Sequence, residues 1–190
     1  MNIRILVLLA AAALLTGCAS GPIAKHQASV TNIQALRVAD VGTASVGEFK
    51  LAPTAKPSID RSISVRGSQL SSPNDKSFAL YLKDSLLTEL QAAGKYDAAS
   101  PTVITGQLTE NELNAAGFSS ANAVLGAKFA VARGGRTLFE KTLRQESTWE
   151  SSFVSAVAIP EAINQYTEMY TRLLAKLFAD DEFKQALKPD

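Results

Sequence analysis

Residues 121–149, ANAVLGAKFAVARGGRTLFEKTLRQESTW, are the stretch from which the fold can be read. Apolar and polar residues alternate on either side of Arg133-Gly134-Gly135, the pattern of two half-buried strands joined by a tight turn. The register follows from the two faces. A two-residue Gly134-Gly135 turn would set Phe129 opposite Glu140 and mix apolar with charged residues on both faces. A three-residue turn over 133–135 sets Phe129 opposite Phe139, Leu125 opposite Leu143 and Lys128 opposite Glu140, and is the expected form. Lys141 is then a misfit on the apolar face.

Working outward, residues 102–113 read as a third strand, and residues 114–120 as a loop carrying Gly117 and Phe118. Before them, residues 75–93 have the spacing of a helix. Phe78, Leu82, Leu86 and Leu90 recur every four residues, Asn74 or Asp75 can cap the start, and Gly94 can stop the end. On this reading Lys83, Asp84 and Glu89 lie off the apolar stripe, in solvent. A second helix is expected over 160–178, with Pro160 in its first turn and a stripe of Ile163, Tyr166, Met169, Tyr170, Leu173 and Leu177. A short helix to Leu187 follows, capped by Asp180 or Asp181. Toward the N-terminus, residues 33–41 and 48–52 read as strands. Residues 53–75, with Pro53, Pro57, Pro73 and many serines, read as largely irregular apart from a strand-like run at 62–65. A stretch that long without a pattern suggests a contact surface. The fold class expected is α+β: a mostly antiparallel sheet with two main helices packed on one face, plus a short C-terminal helix.

The N-terminus is of a different kind. Residues 1–4 are short and positive, and residues 5–15 are an unbroken apolar run of eleven residues. A membrane span needs roughly 20 such residues, so this run suits a secretory signal. Leu15-Thr16-Gly17-Cys18 closes it and looks like the lipobox of bacterial lipoproteins, in which cleavage precedes the cysteine and lipid is attached to it. The expected organisation is therefore a signal peptide over 1–17, a lipidated anchor and tether over 18–31, and one domain over 32–190. As an extended chain the tether would reach at most about 45 Å. Resemblance to such lipoproteins further implies that Ala19, in place of aspartate, directs the chain to the outer membrane on its periplasmic face.

Composition narrows the chemistry. Removing Arg4 with the signal takes Lys+Arg from 19 to 18, equal to the 18 Asp+Glu, so nothing electrostatic favours nucleic acid. Cys18 is the only cysteine, which excludes an internal disulfide. His26 is the only histidine and falls in the expected tether, where a Ser-His-Asp or Cys-His site could not hold it. Zinc sites of the His/Cys kind lack ligands, and Gly134-Gly135 is not followed by the residues of a phosphate loop. Glu110 and Glu112 share a strand face but read as solvated, and Trp149 reads as packing. The expectation is a protein with no catalytic residues, no metal and no cofactor.

Four further segments carry a resemblance: Ala92-Ala93-Gly94-Lys95-Tyr96, Val103-Ile104-Thr105-Gly106-Gln107-Leu108, Thr137-Leu138-Phe139-Glu140-Lys141-Thr142, and Asp181-Glu182-Phe183-Lys184. With the lipobox, they make residues 75–188 similar to the YajG-type outer-membrane lipoproteins. The resemblance implies an address and a fold, and no activity. The function expected is a non-enzymatic envelope binding or structural module. It would be held to the membrane by its lipid and would meet an envelope protein or lipid through 53–75 and the loop at 114–120, with Ser64 and Phe118 as candidate contacts. The alternative is an auxiliary lipoprotein of a lipid or lipopolysaccharide transport complex.

Overall fold

A computed structural model describes residues 20–117 and 119–189. The signal segment, Leu15, Thr16, Gly17, Cys18 and Phe118 lie outside the described residues. The chain runs β1 (Gly21–Pro22), α1 (Val30–Val38), β2 (Ser45–Leu51), α2 (Ser58–Arg61), β3 (Ile63–Val65), β4 (Ser68–Ser71), α3 (Phe78–Ala93), β5 (Thr102–Asn114), β6 (Ser120–Arg133), β7 (Arg136–Glu150), α4 (Ser155–Ala179) and α5 (Asp181–Ala186). The class is α+β, as expected. The main sheet has the order β2-β5-β6-β7, and a small second sheet has the order β1-β4-β3. Both are mixed: β2 runs parallel to β5, and β1 runs parallel to β4.

Period-two burial defines the inner face of the large sheet. Ile104 and Leu108 of β5 and Leu125, Ala127, Phe129 and Val131 of β6 are fully buried there. A bulge at Thr109 lets Asn111 turn inward. α3 and α4 pack over this face with Phe78, Leu82, Leu86, Leu90, Tyr166, Tyr170, Leu173 and Leu177. At one edge the Phe49 ring lies across Gly106 so closely that a Cβ there would stand 2.3 Å from it. The missing side chain is what admits β2 to the sheet.

The hairpin departs from its expected register. Gly134 and Gly135 both have positive φ (57° and 79°), and Arg133 pairs with Arg136, so the turn has two residues. A bulge at Leu138 then shifts the pairing by one, setting Val131 opposite Phe139 and Phe129 opposite Lys141. The bulge restores each residue to its expected face while moving its partner by two positions. Lys128 therefore meets Glu140 diagonally, at 2.8 Å, and not head-on. The misfit Lys141 is also resolved: its ammonium reaches Asp180 at 2.8 Å, at the junction of α4 and α5.

Four further expectations are corrected. Residues 33–41 are not a strand. Helix α1 spans Val30–Val38, burying Asn32 and Leu36 one turn apart against α3 and α4 and adding a third helix to the layer. Residues 53–75 are ordered. They supply Ile63, Val65 and Leu70 to the core, and Asp60 accepts hydrogen bonds from Ser77 Oγ (3.0 Å) and the Ala79 amide (2.8 Å) at the start of α3. The cap of α3 is Ser77, and α4 begins at Ser155, before Pro160.

Candidate contact surface

The segment expected as a tether is part of the fold from Ser20 onward. Ser20 Oγ accepts from the Gln69 amide (3.1 Å), Gly21 and Pro22 pair with Leu70 and Ser71, and Ile23 is buried. The Tyr81 hydroxyl donates to the Ala24 carbonyl at 2.9 Å. Burial and the nearby charge of Asp84 raise its pKa to about 12, so it stays a donor at any physiological pH.

Beyond Ala24 the segment is fixed by Glu89, which was expected in solvent and is fully buried. Its carboxyl accepts from the Ser29 amide through both oxygens (3.1 Å each), from Asn32 Nδ2 (3.1 Å) and from His26 Nε2 (3.0 Å). Ser29 is the N-cap residue of α1 but makes no side-chain cap. The carboxyl of α3 fills that place, where the helix dipole favours a negative group. His26 is thus rigidly held with its side chain 3% exposed, against expectation. Among the described residues, no hydroxyl or thiol is hydrogen-bonded to its ring. The arrangement acts as a clasp.

A second buried network joins the middle of the chain. The Tyr166 hydroxyl donates to Asn111 Oδ1 and lies 2.8 Å from the Tyr170 hydroxyl, while Asn111 Nδ2 donates to the Ile59 carbonyl. Burial pushes both tyrosines far above their ordinary pKa. These bonds hold α2 against β5 and α4, which positions the β3–β4 turn. That turn is Arg66-Gly67, both with positive φ, at 47° and 86°. For arginine the left-handed region costs about 1–2 kcal/mol, and the side chain offsets it. Nε donates to the Ala115 carbonyl, Nη1 to Phe153 O, and Nη2 to the carbonyls of Gly117 and Ser152 and to Ser151 Oγ, all within 3.1 Å.

Arg66 thereby gathers three distant parts of the sequence at one end of the molecule: the stretch 53–75, the loop carrying Phe118, and the entry to α4. The two candidate contact regions are brought together here. Ser64, two residues before Arg66, is exposed on β3 and borders a cleft of about 240 Å³ with Asn111 and Glu112. Sequence reasoning did not flag the most exposed large apolar residues among those described at this end. Phe153, Val154 and Val157 are 71%, 55% and 60% exposed. Their signal was available, since residues 151–159, SSFVSAVAI, contain no charge in a chain that is 19% charged.

β1 starts toward this same end: because it runs parallel to β4, Ser20 and Gly21 lie beside Gln69 and Leu70, on the side of the Arg66-Gly67 turn. α4 runs alongside. Ile163 borders a cavity of about 220 Å³ with residues 20–24 and Leu70, whereas Phe153 lies beside Arg66. The eight helical steps from Ser155 to Ile163 and the four strand steps from Arg66 to Leu70 each span about 12–13 Å, so both elements reach the end together.

A larger cleft, about 590 Å³, is elsewhere, between Arg133, Leu138 and α5. Arg133 there donates to Thr102 Oγ1 and to the carbonyls of Ala186 and Lys188, which fastens the C-terminus. Among the described residues there is no cluster of three or more His, Cys, Asp or Glu placed to hold a metal, and no helix long and apolar enough to cross a membrane.

No family model matches the chain, and no curated protein matches it by sequence. The YajG resemblance therefore rests on its motifs alone. Solved structures do match. Protein XCC0632 from Xanthomonas campestris, of family model DUF330, aligns with a TM-score of 0.57 at 14% identity, covering 87% of this chain and 95% of that one. A minor lipoprotein from Acinetobacter baumannii aligns at 0.40 and 12% identity over 79% and 97% of the two chains. The hypothetical protein CT253 from Chlamydia trachomatis aligns at 0.45 and 8% identity over 75% and 96%. The match to XCC0632 shows a shared fold.

Proposed function

We propose that this protein is an outer-membrane lipoprotein, cut before Cys18, anchored by lipid on that cysteine, and working on the periplasmic side by contact, without catalysis. One observation carries the reading. The chain is fastened into the domain from Ser20 onward, so only Ala19 stands between the domain and Cys18. An anchor at Cys18 then has at most about 7 Å of extended chain above it, not the about 45 Å that a free tether would give. The domain is a fixture of the membrane surface, and its partners come to it. The eleven-residue apolar run and the Leu15-Thr16-Gly17-Cys18 motif support export and lipidation. Each buried lipid methylene contributes about 0.8 kcal/mol, so several acyl chains hold permanently.

The test is metabolic labelling with palmitate, followed by separation of inner and outer membranes. Wild type should be labelled and found in the outer membrane, Cys18→Ser should be unlabelled, and Ala19→Asp should shift the protein to the inner membrane. Label on Cys18→Ser would overturn the anchor, and an unmoved Ala19→Asp the outer-membrane assignment. Turnover of any envelope substrate by the purified protein would overturn the non-enzymatic role.

A further inference from the structure

We infer that Phe153, Val154 and Val157 insert into the headgroup–acyl boundary of the membrane that carries the Cys18 lipid, giving the domain a second, non-covalent foothold and one fixed pose. The inference rests on the anchor reading above and specifies what that reading leaves open, namely which face the lipid surface meets.

Reach comes first. Cys18 stands two residues before Ser20, so within about 7 Å of it, and Ser20 lies at the end of β1 nearer the Arg66-Gly67 turn. The end of the domain bearing the turn is therefore the one held against the bilayer. The three exposed apolar side chains occupy that end, because Arg66 bonds the carbonyls of Ser152 and Phe153. Single exposed apolar residues need no explanation, but three within five residues at the lipid-bearing end are a group. Val154 is the N-cap residue of α4, and the Val157 amide in the first turn donates to its carbonyl at 3.0 Å, which keeps the two close.

The chemistry of the segment also suits a lipid surface. Residues 151–159 carry no charge of their own, and the Arg66 guanidinium beside them already donates to five protein acceptors, which lowers the cost of taking it from water. Backbone is the other obstacle, since carbonyls without partners are costly where water is scarce. Here the exposed carbonyls of Gly117, Ser152 and Phe153 are already taken by the Arg66 guanidinium, and the Val154 amide donates to Ser152 Oγ at 3.1 Å. These four backbone groups are satisfied internally before the loop meets lipid.

Depth-dependent fluorescence tests this on the full lipidated chain. Cys18 is the only native cysteine, and on the anchor reading its sulfur is acylated, so a thiol-reactive dye would label Val154→Cys alone. Ala98→Cys is the comparison. It is exposed in the connection before β5, about 40 Å of strand away from the α4 entry. Each protein is reconstituted into vesicles of phosphatidylethanolamine and phosphatidylglycerol containing acyl-brominated lipid. The dye on Val154→Cys should be blue-shifted and quenched several-fold more than the dye on Ala98→Cys. Adding Phe153→Ser and Val157→Ser, both at exposed positions, should leave the melting transition in place and remove most of the quenching. Equal quenching at the two sites, on protein that floats with the vesicles, overturns the foothold and leaves the anchor standing. A blue shift without bromine quenching overturns it in favour of a protein occupant, another copy of the chain included. Protein that fails to float with the vesicles overturns the anchor, and the foothold with it.

Discussion

Removing the Glu89 carboxyl is the most direct test of how the N-terminal segment is held. Glu89→Ala leaves the Ser29 amide without a partner, costs Asn32 one of its two acceptors and frees the His26 ring. An unsatisfied buried donor costs about 1–3 kcal/mol, and bonds to a charged group lie at the upper end. His26 sits at the margin of a cleft of about 230 Å³ and regains water readily, so it adds little. Ser29 and Asn32 together, with the small void left by the side chain, give an expected loss of about 3–5 kcal/mol. That is a large share of the roughly 5–15 kcal/mol by which a domain is stable. Glu89→Gln keeps one acceptor but turns an NH2 toward the Ser29 amide, and should cost about 2 kcal/mol. Urea melts give the global value, and amide exchange locates it. Protection over residues 29–36 should collapse in Glu89→Ala, while β5 and β6 lose only the global amount. A cost under about 1 kcal/mol with α1 still protected would refute the clasp.

Three other outcomes are expected. Leu86→Ala and Leu173→Ala, both fully buried, should each lose about 2–5 kcal/mol in denaturant melts, and a loss below about 0.5 kcal/mol in both would contradict the helix faces. Gly134→Asn should be nearly neutral, because asparagine tolerates the left-handed region, whereas Gly135→Val, at φ 79°, should cost about 1–2 kcal/mol; the reverse order would refute the two-residue turn. Burial pushes Asp180 upward, but the Lys141 ammonium and the amides of Phe183 and Glu182 outweigh it and hold its pKa below the ordinary 3.8, while the bond to Asp180 raises Lys141 above 10.5. The depressed carboxyl stabilises the fold above its unfolded value and loses that contribution as pH falls through the folded one, and the raised lysine loses its own as pH rises through its folded value. Asp180→Asn should therefore cost stability from about pH 5 to 9 and converge on wild type in acid; a penalty undiminished in acid would refute the pairing.

The elements that sequence made legible are those whose burial is set within the element itself. The four-residue recurrence of Phe78, Leu82, Leu86 and Leu90, and the alternation along β6, each define a face without reference to the rest of the chain. The failures share a different cause. α1 carries Val30, Ile33 and Val38, β-branched residues that favour strands, and it is helical because Asn32 and Leu36 find partners on α3 and α4. Glu89 reads as solvated because its charge is visible and its three partners, some 60 residues earlier, are not. A hint existed, since Tyr81, Ser85 and Glu89 form a second four-residue row beside the leucine stripe, and all three are buried. The hairpin turn failed by one residue, because a bulge at Leu138 keeps every face correct and so leaves no trace in the pattern. As for the contact surface, periodicity offered only the segments 53–75 and 114–120. It is Arg66 that unites them with the entry to α4, through bonds to carbonyls, which carry no side-chain signature in sequence.

If the chain is anchored at Cys18 as proposed, the two devices at the N-terminus act on the same quantity, the freedom of the domain above that anchor. Were residues 20–29 loose, the leash would be about a dozen residues, with a coil dimension near 20 Å, and every face of the domain would sample the bilayer. Pairing of Gly21 and Pro22 with β4 removes the first few of those residues, and the Glu89 clasp removes the rest. Neither element alone suffices. β1 is only two residues long, and a two-residue pairing at a sheet edge is weak without tertiary support. The clasp lies at Ser29, seven residues past Pro22, and by itself would leave Ser20 free to swing. Their cooperation accounts for why a carboxyl is buried at a helix start that many surface residues could have capped: its partners come from three separate positions of the N-terminal segment, so one buried group immobilises the whole run. It follows that Glu89→Ala, besides its cost in stability, should blur the pose, so that on lipidated protein the quenching contrast between labels at positions 154 and 98 narrows while flotation with vesicles is retained.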